Sequence, residues 1–235
     1  MPGRIAPIRL QDPDCTIDVS INSRAKRFTL RLRASGAPAL TVPRGVSRSD
    51  AEDFIQRHRG WLRQALGKRP DVTEVTNGAA VPIDGKMYRV SVVNGRRMAP
   101  RVDGDCLLLS GDGAVGPRVA AWLKLHARDR LQPAARSYAR KLGKRINSIS
   151  LRDTTSRWGS CSSARNLSFS WRLAMAPVEI QDYVAAHEAA HLVEMNHSPR
   201  YWSVLEGLMP DYARHRAWLK REGRALHAYR FEGTS

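Results

Sequence analysis

Apolar residues recur along this chain in two rhythms. Ile17, Val19 and Ile21, then Phe28, Leu30 and Leu32, fall at every second position, the period of strands with one buried face. A third short strand is expected through Leu40 and Val42. The spacing then changes to three and four. Ala51, Phe54, Ile55, His58, Trp61, Leu62, Ala65 and Leu66 would share one helix face, with Ser47 as N-cap, Asp50 completing a capping box and Gly67 closing the helix. Lys68 to Ala80 is polar and turn-rich, hence a loop. Asp84-Gly85 predicts a hairpin turn into a strand carrying Tyr88, Val90 and Val92, and Asp103-Gly104 gives the same signal before Leu107 to Leu109.

Pro117 opens a long helix with Val119, Leu123, Ala127, Leu131, Ala134, Tyr138 and Leu142 as its apolar stripe; Pro133 inside it predicts a kink or break. Ile146 to Arg157 and Leu167 to Leu173 read as two strands of a hairpin joined through Gly159 to Asn166. Helices are expected from Pro177 to about Met195, from Pro199 to Leu208 and from Asp211 to about Arg221. A β-rich start, a long helix, a hairpin and then helices make an α+β order rather than a doubly wound sheet. The expected division is a mixed β/α region over 1–112 and a second domain over 113–235.

The chain has 235 residues and 42% hydrophobic content, enough for a substantial core. No apolar run approaches a membrane span, and the stretch from Met1 to Pro7 lacks the apolar segment of a signal peptide. Cys15, Cys106 and Cys161 are too few and too scattered for a disulfide framework or a thiolate metal site. A cytoplasmic protein is the expectation. The net charge of +17 is unusual and uneven: residues 1–150 carry 28 basic and 13 acidic side chains, residues 151–235 only 11 and 9. Arg24 to Arg33 and the segment from Arg118 to Arg145 concentrate the excess. Such a field attracts polyanions, nucleic acid first among them, while a face that merely keeps the protein soluble accounts for it too.

Gly111 to Gly116 matches G-x-G-x-x-G, but no parallel strand comes after it to complete a dinucleotide site, so a glycine-rich linker is the better reading. His187-Glu188-Ala189-Ala190-His191 is the sharper signal. Imidazoles four apart on a helix lie on one face, close enough to share a metal ion, and Glu188 falls beside them to accept a proton from metal-bound water. Charge is sparse around the motif. Asn196 can end the helix, Ser198-Pro199 can start the next, and the turn between them carries His197, a third imidazole six residues past His191. Three ligands and one open position are the arrangement of a catalytic zinc. The histidine spacing equals that of the metzincins, but Glu194 stands where they need glycine, so this turn must be built differently, at Asn196. His58, His126, His215 and His227 read as surface or packing residues.

Arg157-Trp158-Gly159-Ser160-Cys161-Ser162, Asn166 to Arg172, the His187–His191 motif and Met195 to Trp202 together resemble the YgjP-like zinc metallopeptidases, relatives of the SprT-like group of minimal zincins. The specific motifs cover about residues 146–220. The resemblance implies a zincin-like catalytic domain with Zn2+ on His187, His191 and His197, Glu188 as general base, and Trp158 to Cys161 on or after an edge strand beside the cleft. A second group must stabilise the oxyanion, and Tyr201, Arg200 and His215 are the candidates near in sequence. Cys161 reads as a small buried residue of a tight turn, and Trp158 and Trp171 as core aromatics.

The expected activity is zinc-dependent hydrolysis of peptide bonds, most simply by an endopeptidase acting on peptide or protein substrates. Two alternatives are a DNA-associated SprT-like protease recruited by the basic residues of 1–150, and a zinc protein acting only by binding. Intact Glu188 argues against the last. Zinc deaminase chemistry is disfavoured by the absence of its paired-cysteine motif.

Overall fold

A computed structural model describes residues 4–33, 36–67, 71–95 and 98–232. Met1 to Gly3, part of the segment read for a signal peptide, and Lys68 to Pro70, the start of the expected loop, lie outside the described residues. The architecture is α+β, in two compact units, Met1–Asp71 and Val72–Ser235.

The first unit is a four-stranded sheet with two helices. Strands β1 (Arg4–Gln11), β2 (Asp14–Ile21), β3 (Thr29–Leu32) and β4 (Pro38–Val42) lie in the order β1-β2-β4-β3. The alternation in β2 is real: Ile17 and Val19 are buried and pack with Leu40 and Val42. Strand β1 has a weaker rhythm and no counterpart in the sequence expectations; its register with β2 shifts between Ile5 and Ile8, which breaks the alternation. Ser47 caps α1 (Arg48–Arg57) and forms the expected capping box with Asp50. The single helix expected here is two, because the chain leaves helical geometry at His58 before α2 (Arg59–Gly67). Trp61 is thereby exposed, while Leu62 is buried.

In the second unit, β5 (Thr73–Glu74) pairs in parallel with β13 (Tyr229–Arg230). Strands β6 (Ala80–Ile83), β7 (Lys86–Val93), β8 (Arg101–Asp103) and β9 (Cys106–Ser110) form a sheet ordered β6-β7-β9-β8. Both predicted turns are present. Asp84 and Gly85 take φ of 50° and 80°, as a tight hairpin of that hand requires. A methyl on Gly85 would stand 2.8 Å from Pro177 Cγ, so this turn sits directly against the start of a later helix. These strands share one core with the later helices rather than ending as a unit at residue 112.

Helix α3 (Val115–Lys141) is continuous through Pro133. The expected break does not occur because Pro133 and Asp129 are both on the exposed face, where water can take the carbonyl that proline leaves without an N–H. Its other face buries Val119, Leu123, Ala127, Leu131 and Tyr138 in the main core.

A three-stranded sheet then differs from the expected hairpin. Strand β10 (Ser148–Arg152) runs parallel to β12 (Asn166–Ser170), and Gly159 to Cys161, a connection by periodicity but on or after an edge strand by the family resemblance, is strand β11, antiparallel to β12. The order β10-β12-β11 leaves β11 at an edge. Trp171 to Met175 is a 3-10 turn, not strand. Helices α4 (Val178–Ala190), α5 (Pro199–Leu208) and α6 (Tyr212–Glu222) complete the fold. No helix is long and apolar enough to cross a membrane among the described residues.

Candidate active site

Helix α4 is buried on nearly all sides, from Ile180 through Ala190, so its last turn is held by the core. It ends at Ala190, about five residues earlier than the apolar pattern suggested. Leu192 N–H reaches back only to the Ala189 carbonyl, tightening the turn, and the Glu194 carbonyl lies 3.0 Å from His191 Nδ1. Asn196 Oδ1 then accepts from Ser198 N–H at 2.9 Å, the asparagine-built turn expected from the sequence. Ser198 caps α5, with Pro199 in its first turn.

This early stop folds His197 back onto the helix. His187, His191 and His197 each place a ring nitrogen so that the three lie within 4.8 Å of one another, and Nε2 of His187 and His197 are 3.2 Å apart. Each imidazole has a supporting contact. Tyr183 Oη is 3.4 Å from His187 Nδ1; His191 Nδ1 meets the Glu194 carbonyl; Trp202 donates its indole N–H to the His197 carbonyl and stacks on that ring. With Nδ1 of His191 donating, its Nε2 keeps a free lone pair.

The electrostatics favour neutral rings at His187 and His191. Burial, with His191 and His197 nearby, pushes His187 down to about 3, and burial lowers His191 as well. Glu188 is 4% exposed. Burial pushes its carboxyl up to about 8 against the pull of Arg157. Among the described residues its carboxylate has no hydrogen-bond partner. Gly159 explains how the acid is accommodated: a Cβ there would fall 2.6 Å from Glu188 Cγ and collide with Oε1. The edge strand β11 thus lies directly on the carboxylic acid. The pocket, about 390 Å3, is walled by Arg157, Trp158, Gly159, Cys161 and Tyr183 around the three histidines and Glu188.

The three oxyanion candidates lie elsewhere. Tyr201 is fully buried and donates to the His187 carbonyl at 3.0 Å. Arg200 is exposed, 4.0 Å from the Glu194 carboxylate. His215 is buried against Asp211. None lines the pocket, whereas Arg157 and Tyr183 do. Tyr183 sits one turn before His187 and was findable by that spacing; Arg157 opens the motif that carries the family resemblance, but no spacing placed it at the pocket. Cys161 is half-buried and lines the pocket, its thiol pushed up to about 11 by burial and by Glu188. Trp171 is core, as expected, but Trp158 also walls the pocket.

Three imidazoles converging beside a buried carboxylic acid are a donor set for a transition-metal ion and define a metal-dependent enzyme. The YgjP-like metallopeptidase domain matches residues 26–222, and the chain belongs to that family. Peptidase activity on peptide or protein substrates follows from this membership. No curated protein matches the chain significantly.

Proposed function

We propose that this chain is a zinc-dependent endopeptidase of the cytoplasm, with the metal on His187, His191 and His197 and Glu188 as general base. The observation that carries this reading is the buried carboxyl of Glu188, without a hydrogen-bond partner among the described residues, set beside three converging imidazoles. Imidazole nitrogens suit zinc, and three protein ligands leave a position for water. Zinc held by these imidazoles would supply Lewis acidity and lower the pKa of a water in the site. Glu188 would accept the proton of the attacking water and return it to the leaving amine. The substrate lies extended along β11, whose outer edge pairs with no other strand among the described residues. The three free cysteines fit a reducing compartment.

The exposed cations of α3 fit a solvating face as well as a phosphate-binding one, so nucleic acid is not part of this reading. Metal content of purified protein should be one zinc per chain, and His191→Ala should lose it. Glu188→Gln should keep fold and zinc but lose hydrolysis, since an amide cannot take the proton. Wild-type rates in Glu188→Gln would remove it as the base. A wild-type protein that retains zinc yet cleaves nothing in a broad peptide library would replace catalysis with binding.

A further inference from the structure

The sheet that walls the pocket has a second face. Because side chains alternate along a strand, Gly159 turns toward Glu188 while Ser160 turns away. Ser160 pairs with Ser168, and Ser168 with Ser150, so three serines cross all three strands in one row. Arg152 shares the Ser150 side of β10. A groove of about 580 Å3 runs over this face, and its lining includes Arg152 and Arg157 but no carboxylate. Neither guanidinium has an ion-pair partner among the described residues, and the Ser160 and Ser168 hydroxyls have no protein partner there either. Arg157, Gly159, Ser160 and Cys161 line both this groove and the catalytic pocket. The two therefore form one continuous surface over the β11 edge.

We propose that this groove is a specificity site for acidic side chains of the substrate, read by Arg152 and Arg157 with the serine row beside them. The proposal rests on the peptidase reading for its choice of a peptide occupant. Guanidinium groups bind carboxylates through paired N–H donors, and the hydroxyls can donate to the same oxygens. Continuity with the pocket makes the substrate itself the occupant, since a chain lying on β11 passes from one to the other.

The test uses labelled peptides of equal length that differ in carrying Glu or Gln on both sides of their centre. Binding is read by fluorescence anisotropy to the full-length Glu188→Gln protein, where turnover does not intrude. The Glu peptide should bind about 4- to 25-fold tighter, roughly 2- to 5-fold for each exposed arginine. Arg152→Gln should remove one such factor, and Arg152→Glu with Arg157→Glu should reverse the preference toward a Lys peptide. That reversal is a gain that misfolding cannot mimic. Equal binding of the Glu and Gln peptides, or a preference that survives the double charge reversal, overturns the proposal. So does a single-stranded oligonucleotide that binds more tightly than the Glu peptide and is lost in the same variant. If the preference and its reversal hold while wild type cleaves nothing in a broad peptide library, the peptidase reading falls and the acidic-ligand site stands.

Discussion

Replacing Gly159 with alanine inserts one methyl group between the edge strand and the proposed base. The new Cβ would stand 2.6 Å from Glu188 Cγ, about 1 Å inside ordinary carbon contact. Glu188 cannot retreat, because the helix behind it is buried on Ala185, Ala189 and their neighbours. Strand β11 is three residues long and pairs only with β12, so the strand shifts or the carboxyl turns out of position. Overpacking of this kind costs about 1–3 kcal/mol. At about 2–4 °C per kcal/mol for a chain of this size, melting should fall by no more than roughly 12 °C. The effect on rate should be larger, since a displacement of about 1 Å at a reacting group costs on the order of 100-fold. Gly159→Ala should therefore keep its metal stoichiometry and lose about 100-fold in kcat/KM on a peptide substrate. Shortening the acid in Gly159→Ala/Glu188→Asp should recover part of the melting temperature. Activity in Gly159→Ala within twofold of wild type would refute the contact as a determinant of the base's position.

Three other perturbations have defined outcomes. Trp202→Phe removes the N–H that holds the His197 carbonyl while keeping an aromatic ring; zinc affinity by competition with a chelator should weaken about 10-fold, and an unchanged affinity would remove Trp202 from the site's support. Asp84 accepts from Gln181 at 2.7 Å and contacts His126 Nε2 at 2.9 Å, so Asp84→Ala should cost about 1–3 kcal/mol in urea unfolding; a loss below measurement would show that the hairpin turn holds without this cluster. His227 packs on Trp158 and is pushed down to about 4 by burial, with Arg172 adding to it. The unfolded chain takes up that proton near 6.5, so its contribution is complete above about 6.5 and is lost as the pH falls from there toward about 4. Melting over that range should fall less steeply in His227→Gln, and equal slopes would exclude the residue as a source of acid sensitivity.

The histidine set was legible because it is local. Two ligand candidates lie one helical turn apart and the third on the next turn, so spacing alone brings them together. The turn at Asn196 was legible for the same reason, its side chain bonding two residues on. What escaped was non-local. The parallel pairing of β10 with β12 and the arrival of Arg157 at the pocket depend on how three segments order themselves in a sheet, and the edge position of Gly159 to Cys161 came from the family resemblance rather than from periodicity. The early end of α4 escaped because Leu192 and Val193 continue its apolar run, while a contact between the His191 ring and a backbone carbonyl ends the helix. The oxyanion candidates failed on direction: Tyr201 is near in sequence and touches His187, but its hydroxyl points at backbone.

The turn at Asp84-Gly85 has a bearing on dissection of the molecule. It sits under Pro177, the residue at which the histidine-bearing helix begins, and Asp84 grips Gln181 on the first turns of that helix. The β6–β9 strands are therefore the footing of the histidine-bearing helix, not an appendage to it. A fragment begun at 113 would keep every proposed ligand and lose the anchor that sets the helix's position. A fragment begun at 72 retains the anchor, and also the pairing of Thr73–Glu74 with Tyr229–Arg230, by which the two ends of this unit clasp one another. Any minimal, transplantable version of the site has its first residue near 72.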